Sequence, residues 1–296
     1  MTTRKKHSTF EEKNFIADVI LRIRKLNNIK RSVFLIPVLL LFFFSQSNAQ
    51  NLDVPYVPTP NDVLERMLDM ADVGPGDYVI DLGSGDGRIV IAAAKRGAVG
   101  HGVDLDPERI AEARENAETE GVSDRIMFMQ GDIFETDFSQ ASVITLYLLT
   151  SVNLELRPSL LENLEPGTRV VSHSFDMGEW RPDESVEIAN RDLYFWIIPA
   201  DVDGSWNWSI NGKNFSMNAE QEFQEISVEL NSGNRSLITE EATLKGKRIN
   251  LIVMDEENNT RYIYSGVVEN HTVSGTVQVH TKDAQSIEEW SATLSD

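Results

Sequence analysis

Residues able to do chemistry cluster along one third of the chain: Asp81, Gly83, Ser84, Gly85, Asp86, Gly87, Asp104, Asp132, Tyr147 and His173. In Tyr78-Val79-Ile80-Asp81-Leu82-Gly83-Ser84-Gly85-Asp86-Gly87-Arg88-Ile89-Val90 an apolar run ends in an acid. Glycines follow at alternate positions, and an apolar run resumes at once. The pattern predicts a buried strand, a tight turn that lets backbone approach a ligand, and a helix whose N-terminus faces that ligand. Such loops often cradle phosphate. Asp81 and Asp86 oppose that here, because carboxylates repel phosphate but accept bonds from a cation. The next apolar run ends in Asp104, where a carboxylate can accept both hydroxyls of a ribose or cap the helix that follows. Asp132 follows the third run at the same sheet edge, placed for an adenine contact or a turn cap. No set of His, Asp and Glu has the spacing of metal ligands.

These residues need a scaffold that brings strand ends to one edge. The sequence predicts strands over residues 78–82, 98–104, 125–130, 141–148 and 169–174. Helices are predicted between them, over about 87–96, 107–120 and 154–164. A further helix follows Pro60, with Thr59 or Asn61 as candidate cap. Alternation at this rhythm is the mark of a parallel α/β sheet with crossover helices. Residues 185–189 and 193–198 then predict an antiparallel hairpin. From about residue 201 the pattern shifts to short alternating strands separated by turns such as Asn211-Gly212, Asn231-Ser232-Gly233 and Lys245-Gly246. That predicts a small antiparallel barrel or sandwich, with Trp206 and Trp208 filling it.

The chain has 296 residues and a net charge of −20. Residues 1–32 are basic, whereas the rest of the chain is strongly acidic, which argues against a nucleic-acid partner. Residues 33–44 form a short apolar core after Lys30 and Arg31, with small residues at Ser47 and Ala49. Residues 1–50 therefore read as a basic segment plus a signal-like or anchoring segment. The apolar run is short for a bilayer span, which favours export over a stable anchor. Any membrane contact is expected only there, and the basic flank places the body outside. The expected organisation is 1–50 as this segment, 51–200 as a ligand-binding α/β domain, and 201–296 as a β-rich domain.

A ligand with a ribose diol, a cationic amino-acid part and no phosphate suits these carboxylates, and S-adenosylmethionine is one. The motifs Asp81-x-Gly83-x-Gly85-x-Gly87, Asp104 and Gly131-Asp132 resemble those of class I S-adenosylmethionine-dependent methyltransferases. Within that class the run from Asp81 to Lys95 is similar to mitochondrial-type protein-lysine methyltransferases and their bacterial relatives. The resemblance covers roughly residues 55–200 and implies a Rossmann-like seven-stranded sheet. It also implies that the arm Tyr56-Val57-Pro58-Thr59-Pro60 covers the cofactor, through Tyr56 and Thr59. The implied reaction is direct displacement of a methyl group onto an acceptor, with a protein lysine amine as one candidate. Tyr147, at the fourth strand's end, is then a candidate for positioning the acceptor, and His173 for taking its proton. Each has a plainer reading, as a core aromatic and a structural histidine. Two other functions stay open: a non-catalytic adenosyl-ligand binder with a β-barrel recognition domain, and an NAD-dependent oxidoreductase, which Asp81 and Asp86 oppose.

Overall fold

The computed structural model describes residues 56–295. The expected leader or anchor over 1–50 lies outside them. Among the described residues no helix is long and apolar enough to cross a membrane.

After the arm, α1 (Asn61–Met70) buries Val63, Leu64, Met67 and Leu68 on one stripe. The expected side-chain cap is not made: α1 starts after Pro60 without a capping bond. Thr59 points its hydroxyl to His173 instead. β1 (Tyr78–Leu82), α2 (Arg88–Lys95), β2 (Val99–Asp104), α3 (Pro107–Thr119) and β3 (Ile126–Gln130) follow as predicted, within a residue or two. β4 (Val143–Leu146) is shorter than predicted and leaves Tyr147 just past its end. α4 (Thr150–Asn163) starts a turn earlier than predicted and carries Pro158 inside it. β5 (Arg169–His173), β6 (Glu184–Ile188) and β7 (Arg191–Ile197) complete the sheet.

The strand order is β3-β2-β1-β4-β5-β7-β6, parallel from β3 to β5, with β7 antiparallel to both β5 and β6. The order reverses between β1 and β4, on either side of the first strand. Ligands of open α/β sheets bind at such a switch point, outside the carboxyl ends of the strands. α4 buries Leu156 and Leu160 with Ile80, Ile144 and Trp196, while α1 packs with Val79, Val143 and Val171. Both sheet faces are thereby covered beside the switch point.

Eight more strands, β8 (Gly204–Ile210), β9 (Lys213–Glu222), β10 (Glu225–Ser232), β11 (Arg235–Lys245), β12 (Arg248–Asp255), β13 (Thr260–Glu269), β14 (Thr272–His280) and β15 (Gln285–Leu294), close on themselves. They form an up-and-down antiparallel barrel, sealed by β15 against β8. Of the two all-β forms expected, the structure is the barrel. Period-two alternation sends Trp206, Trp208, Ile210, Phe215, Leu230 and Trp290 into its core. Sheet and barrel pack together in one compact unit. One attachment is at Gly246, between β11 and β12. A Cβ there would lie 3.0 Å from Ile197 Cγ2 and 3.3 Å from Gly167 Cα, so backbone meets backbone.

Candidate functional site

The glycine loop leaves β1 under Val103, whose carbonyl accepts from both Gly83 N and Ser84 N at 2.9 Å. Gly85 has φ +53, and a Cβ on it would sit 2.5 Å from the Tyr56 ring. The loop therefore presents bare backbone to a cleft roofed by the arm. The cleft has an empty volume of about 880 Å³ and is lined by Tyr56, Thr59, Asp81, Gly83, Ser84, Gly85, Asp104 and Tyr147 among others.

Three expected residues fall elsewhere. Gly87 does not line the cleft. A Cβ at Gly87 would strike Phe128 at 2.5 Å and Ala113 at 2.9 Å, so this glycine serves the packing of helix against strand. Asp132 does not line it either. Its Oδ1 accepts from Phe134 N at 2.9 Å within its own turn, and Ile133 faces the cleft instead. His173 is wholly buried behind the lining, stacked on the Tyr147 ring at 3.8 Å between centroids and 29° between planes. Its Nδ1 is hydrogen-bonded to Thr59 Oγ1 at 3.2 Å. Burial, helped by Arg191, pushes the imidazole down to about 4. A neutral, enclosed ring of that kind supports Tyr147 and the arm. It is not placed to take a proton from an acceptor.

The carboxylates divide the work. Asp104 accepts from Gly85 N at 2.8 Å and from Asp106 N at 2.9 Å. A carboxylate has about four acceptor positions, so two are left for the hydroxyls of a diol. Asp81 is 2% exposed and accepts from Thr145 Oγ1 at 2.6 Å. Burial raises its carboxyl to about 7 against the pull of Thr145, and the nearby Asp104 and Asp86 add to the rise. A buried acid so poised gains from a cationic neighbour. Asp86 is different. Burial alone raises its carboxyl, but its contacts with Arg88 outweigh that and hold it below the usual range.

Sequence reasoning missed the arginines. Arg88 Nε and Nη2 grip both oxygens of Asp86 at 2.6–3.1 Å, while Nη1 donates to Thr59 O at 2.9 Å. Arg109 lies 4.9 Å over the Tyr56 ring and pairs with Glu112. Together they clamp the arm over the glycine loop. The only signal was Arg88 directly after the last glycine. Asn153 was missed too. From the first turn of α4 its Nδ2 donates to Phe175 O at 3.0 Å and Asp176 O at 3.3 Å, fixing the loop after β5.

Three features test the cleft against its ligand. Gly85 makes a cradle that a side chain would fill, Asp104 keeps acceptor capacity for a diol, and Asp81 offers a buried acid to a cation. Both arginines that line the cleft are already paired with acids, so neither clamps a phosphate. The residues fit an adenosyl sulfonium. Comparison with known proteins agrees. Residues 81–184 match the family model of the ANTKMT methyltransferase domain. A protein-lysine N-methyltransferase of Saccharolobus islandicus is 48% identical over 153 residues, covering 49% of this chain and 94% of that one. The chain belongs to the class I S-adenosylmethionine-dependent methyltransferases.

The adenine nucleotide translocase lysine N-methyltransferase of Mus musculus is 35% identical, over 44% of this chain and 57% of its own length. The chain thus spans little more than half of that relative. A Salinibacter ruber structure described as an RNA methyltransferase in complex with S-adenosyl-L-homocysteine is 55% identical, covering 49% of this chain and 96% of that one, with TM-score 0.49. The barrel lies beyond the matched residues 81–184. This methyltransferase is an enzyme that uses S-adenosylmethionine, so the oxidoreductase and the non-catalytic binder fall away. Among the described residues no group of three or more His, Cys, Asp or Glu is arranged to hold a metal.

Proposed function

We propose that this methyltransferase modifies lysine amines of a protein acceptor. One observation carries the reading. An aromatic ring, Tyr147, closes the acceptor end of the cleft past β4 and is held flat by the buried His173 behind it. Leu148 and Val152 complete an apolar wall beside it. Such a wall suits the methylene stem and nitrogen of lysine, which aromatic faces attract. The matching names of the Saccharolobus and mouse relatives support it.

The bound cofactor supplies an electrophilic methyl group on a sulfonium. The chain supplies the rest. Asp104 and the Gly85 backbone would hold the adenosyl part, and Asp81 would face the cationic amino-acid part. The arm, fastened by Arg88, keeps water from the cleft. Tyr147 aligns the incoming amine, and alignment is the main catalytic demand of a direct displacement. The amine must arrive without its proton, and the cleft lining holds no histidine to take it.

The same proposal places the body outside the cytoplasm, either exported or anchored by residues 33–44. A reporter fused after Asp296 tests this, and activity confined to the cytoplasm overturns it. For the reaction, purified protein is incubated with methyl-labelled cofactor and separate protein and RNA extracts. Label is expected in protein, as methyl-lysine by mass spectrometry. Label only in RNA, or on protein side chains other than lysine, overturns the lysine reading.

A further inference from the structure

We propose that the barrel hairpin at Phe223-Gln224 is part of the acceptor site, because it sets the position of the loop that borders Tyr147. The inference rests on the reading of a protein acceptor. β9 and β10 are joined by these two residues alone, Glu222 pairing with Glu225 across them. Phe223 has φ +56. A bulky aromatic in the left-handed region is uncommon, and turns of this kind ordinarily take glycine or asparagine there. Strain of that sort persists only where surrounding contacts hold it, and it gathers at functional sites.

The contacts are these. The Phe223 ring stacks on Trp180 at 6.1 Å and 21°. The Arg157 guanidinium lies 5.3 Å over the same ring. Gln224 uses both ends of its amide: Oε1 accepts from Trp180 Nε1 at 2.9 Å, and Nε2 donates to Arg181 O at 2.6 Å. Trp180 is fully buried, and its carbonyl accepts from Trp196 Nε1 at 2.9 Å. The hairpin therefore grips residues 180–181 from the barrel side.

That grip continues to the transfer site. Arg157 also donates to Met177 O at 2.8 Å. Asn153, one turn earlier on α4, holds Phe175 O and Asp176 O. The Phe175 ring lies 6.1 Å from Tyr147. Residues 174–181 thus run from the ring that meets the acceptor to the hairpin, pinned along their length. A protein acceptor is larger than the cleft and must lie on the surface beside Tyr147, and this loop is that surface. Attachment of the barrel alone would not need the arrangement. The Gly246 contact already joins barrel to sheet next to Gly167, before β5 begins and so at the opposite edge from the site.

The test compares Phe223→Gly, which relieves the backbone and removes the ring, with Gln224→Ala and with Lys247→Ala beside Glu165 as a control. Amide hydrogen exchange over residues 174–181 and cofactor Kd are measured first. Transfer of labelled methyl is then measured to poly-L-lysine and to a total protein extract. Ordering a residue at binding instead of beforehand weakens binding by about tenfold. Both hairpin variants are therefore expected to raise KM for acceptor about tenfold and to speed exchange in 174–181. Cofactor Kd stays within about twofold, and the control changes nothing. Unchanged exchange, or faster exchange with unchanged acceptor KM, overturns the proposal. If the extract is labelled only on side chains other than lysine, the lysine reading fails and the hairpin is judged on the extract alone. If neither is labelled, both fall.

Discussion

The buried Asp81 makes cofactor binding release a proton. Its carboxyl stands at about 7 in the free protein, because burial raises it. Against an ordinary carboxyl at 3.8 that is about three pH units, on the order of 4 kcal/mol at 1.36 kcal/mol per unit. The sign for stability follows. Between about pH 4 and pH 7 the folded chain holds a proton that the unfolded chain has lost. Stability therefore falls as pH rises through that window and is level above it. The cofactor reverses the preference at this residue, since a cationic amino-acid part favours the carboxylate. Binding at pH 6 then releases about 0.9 proton, and affinity rises by up to tenfold per unit until pH 7. Calorimetry at pH 6 in two buffers of different ionisation heat counts the proton directly. Asp81→Asn mimics the protonated form. It is expected to bind more weakly than the wild type by a factor that grows with pH, small at pH 5 and large at pH 8. Zero or inward proton transfer at pH 6, or an Asn variant with the wild-type pH profile, refutes the role given to Asp81.

Two further outcomes test the rest of the site. Asp104→Ala removes the diol acceptor together with the bonds to Gly85 N and Asp106 N. Two charge-assisted bonds make this about 3 kcal/mol or more, roughly 150-fold in cofactor Kd by calorimetry; a change within about threefold contradicts it. His173→Phe keeps the stack on Tyr147 and removes a buried imidazole held down to about 4. A depressed histidine adds stability that is lost as pH falls from about 6.5 through 4, the opposite slope to Asp81 over much of the same window. The wild type is therefore expected to be nearly level there, with the Phe variant falling as pH rises; equal slopes by denaturant titration at pH 4.5 and 6.5 contradict it.

The parts legible in the sequence are those written within a few neighbouring residues. The run Tyr78–Val90 holds its strand, its turn and its helix start together, and period-two alternation from Trp206 onward holds the barrel. Asp104 was legible because a strand that pairs with β1 must bring its end to the same edge. What could not be read depends on partners far apart. Thr59 and His173 are 114 positions apart. Nothing local in Ser172-His173-Ser174 says that the ring will lie under Tyr147 rather than in the cleft. Gly87 and Asp132 lie off the cleft lining for a related reason. A motif fixes where a residue sits on the chain, while the turn it closes decides which way its backbone and side chain face. The Phe223-Gln224 hairpin carries no turn signal at all, because its conformation is imposed by Trp180 and Arg157 and not chosen by its own residues.

The discrimination against phosphate shows how a correct conclusion can rest on a different cause. Asp86 reads in the sequence as a negative charge that repels phosphate. In the structure that charge is cancelled by Arg88 at 2.6 Å. Arg88 and Arg109 both line the cleft and would otherwise make it attractive to a dinucleotide. Asp86 takes up the first, and Glu112 with the Tyr56 ring takes up the second. The acid in the glycine loop therefore works by occupying a cation rather than by its own field. The arginines it and Glu112 occupy hold the arm closed. Asp81 and Asp104 are left as the cleft acids with no basic partner among the described residues, so the cleft keeps one buried carboxyl for a cation and one carboxylate for a diol.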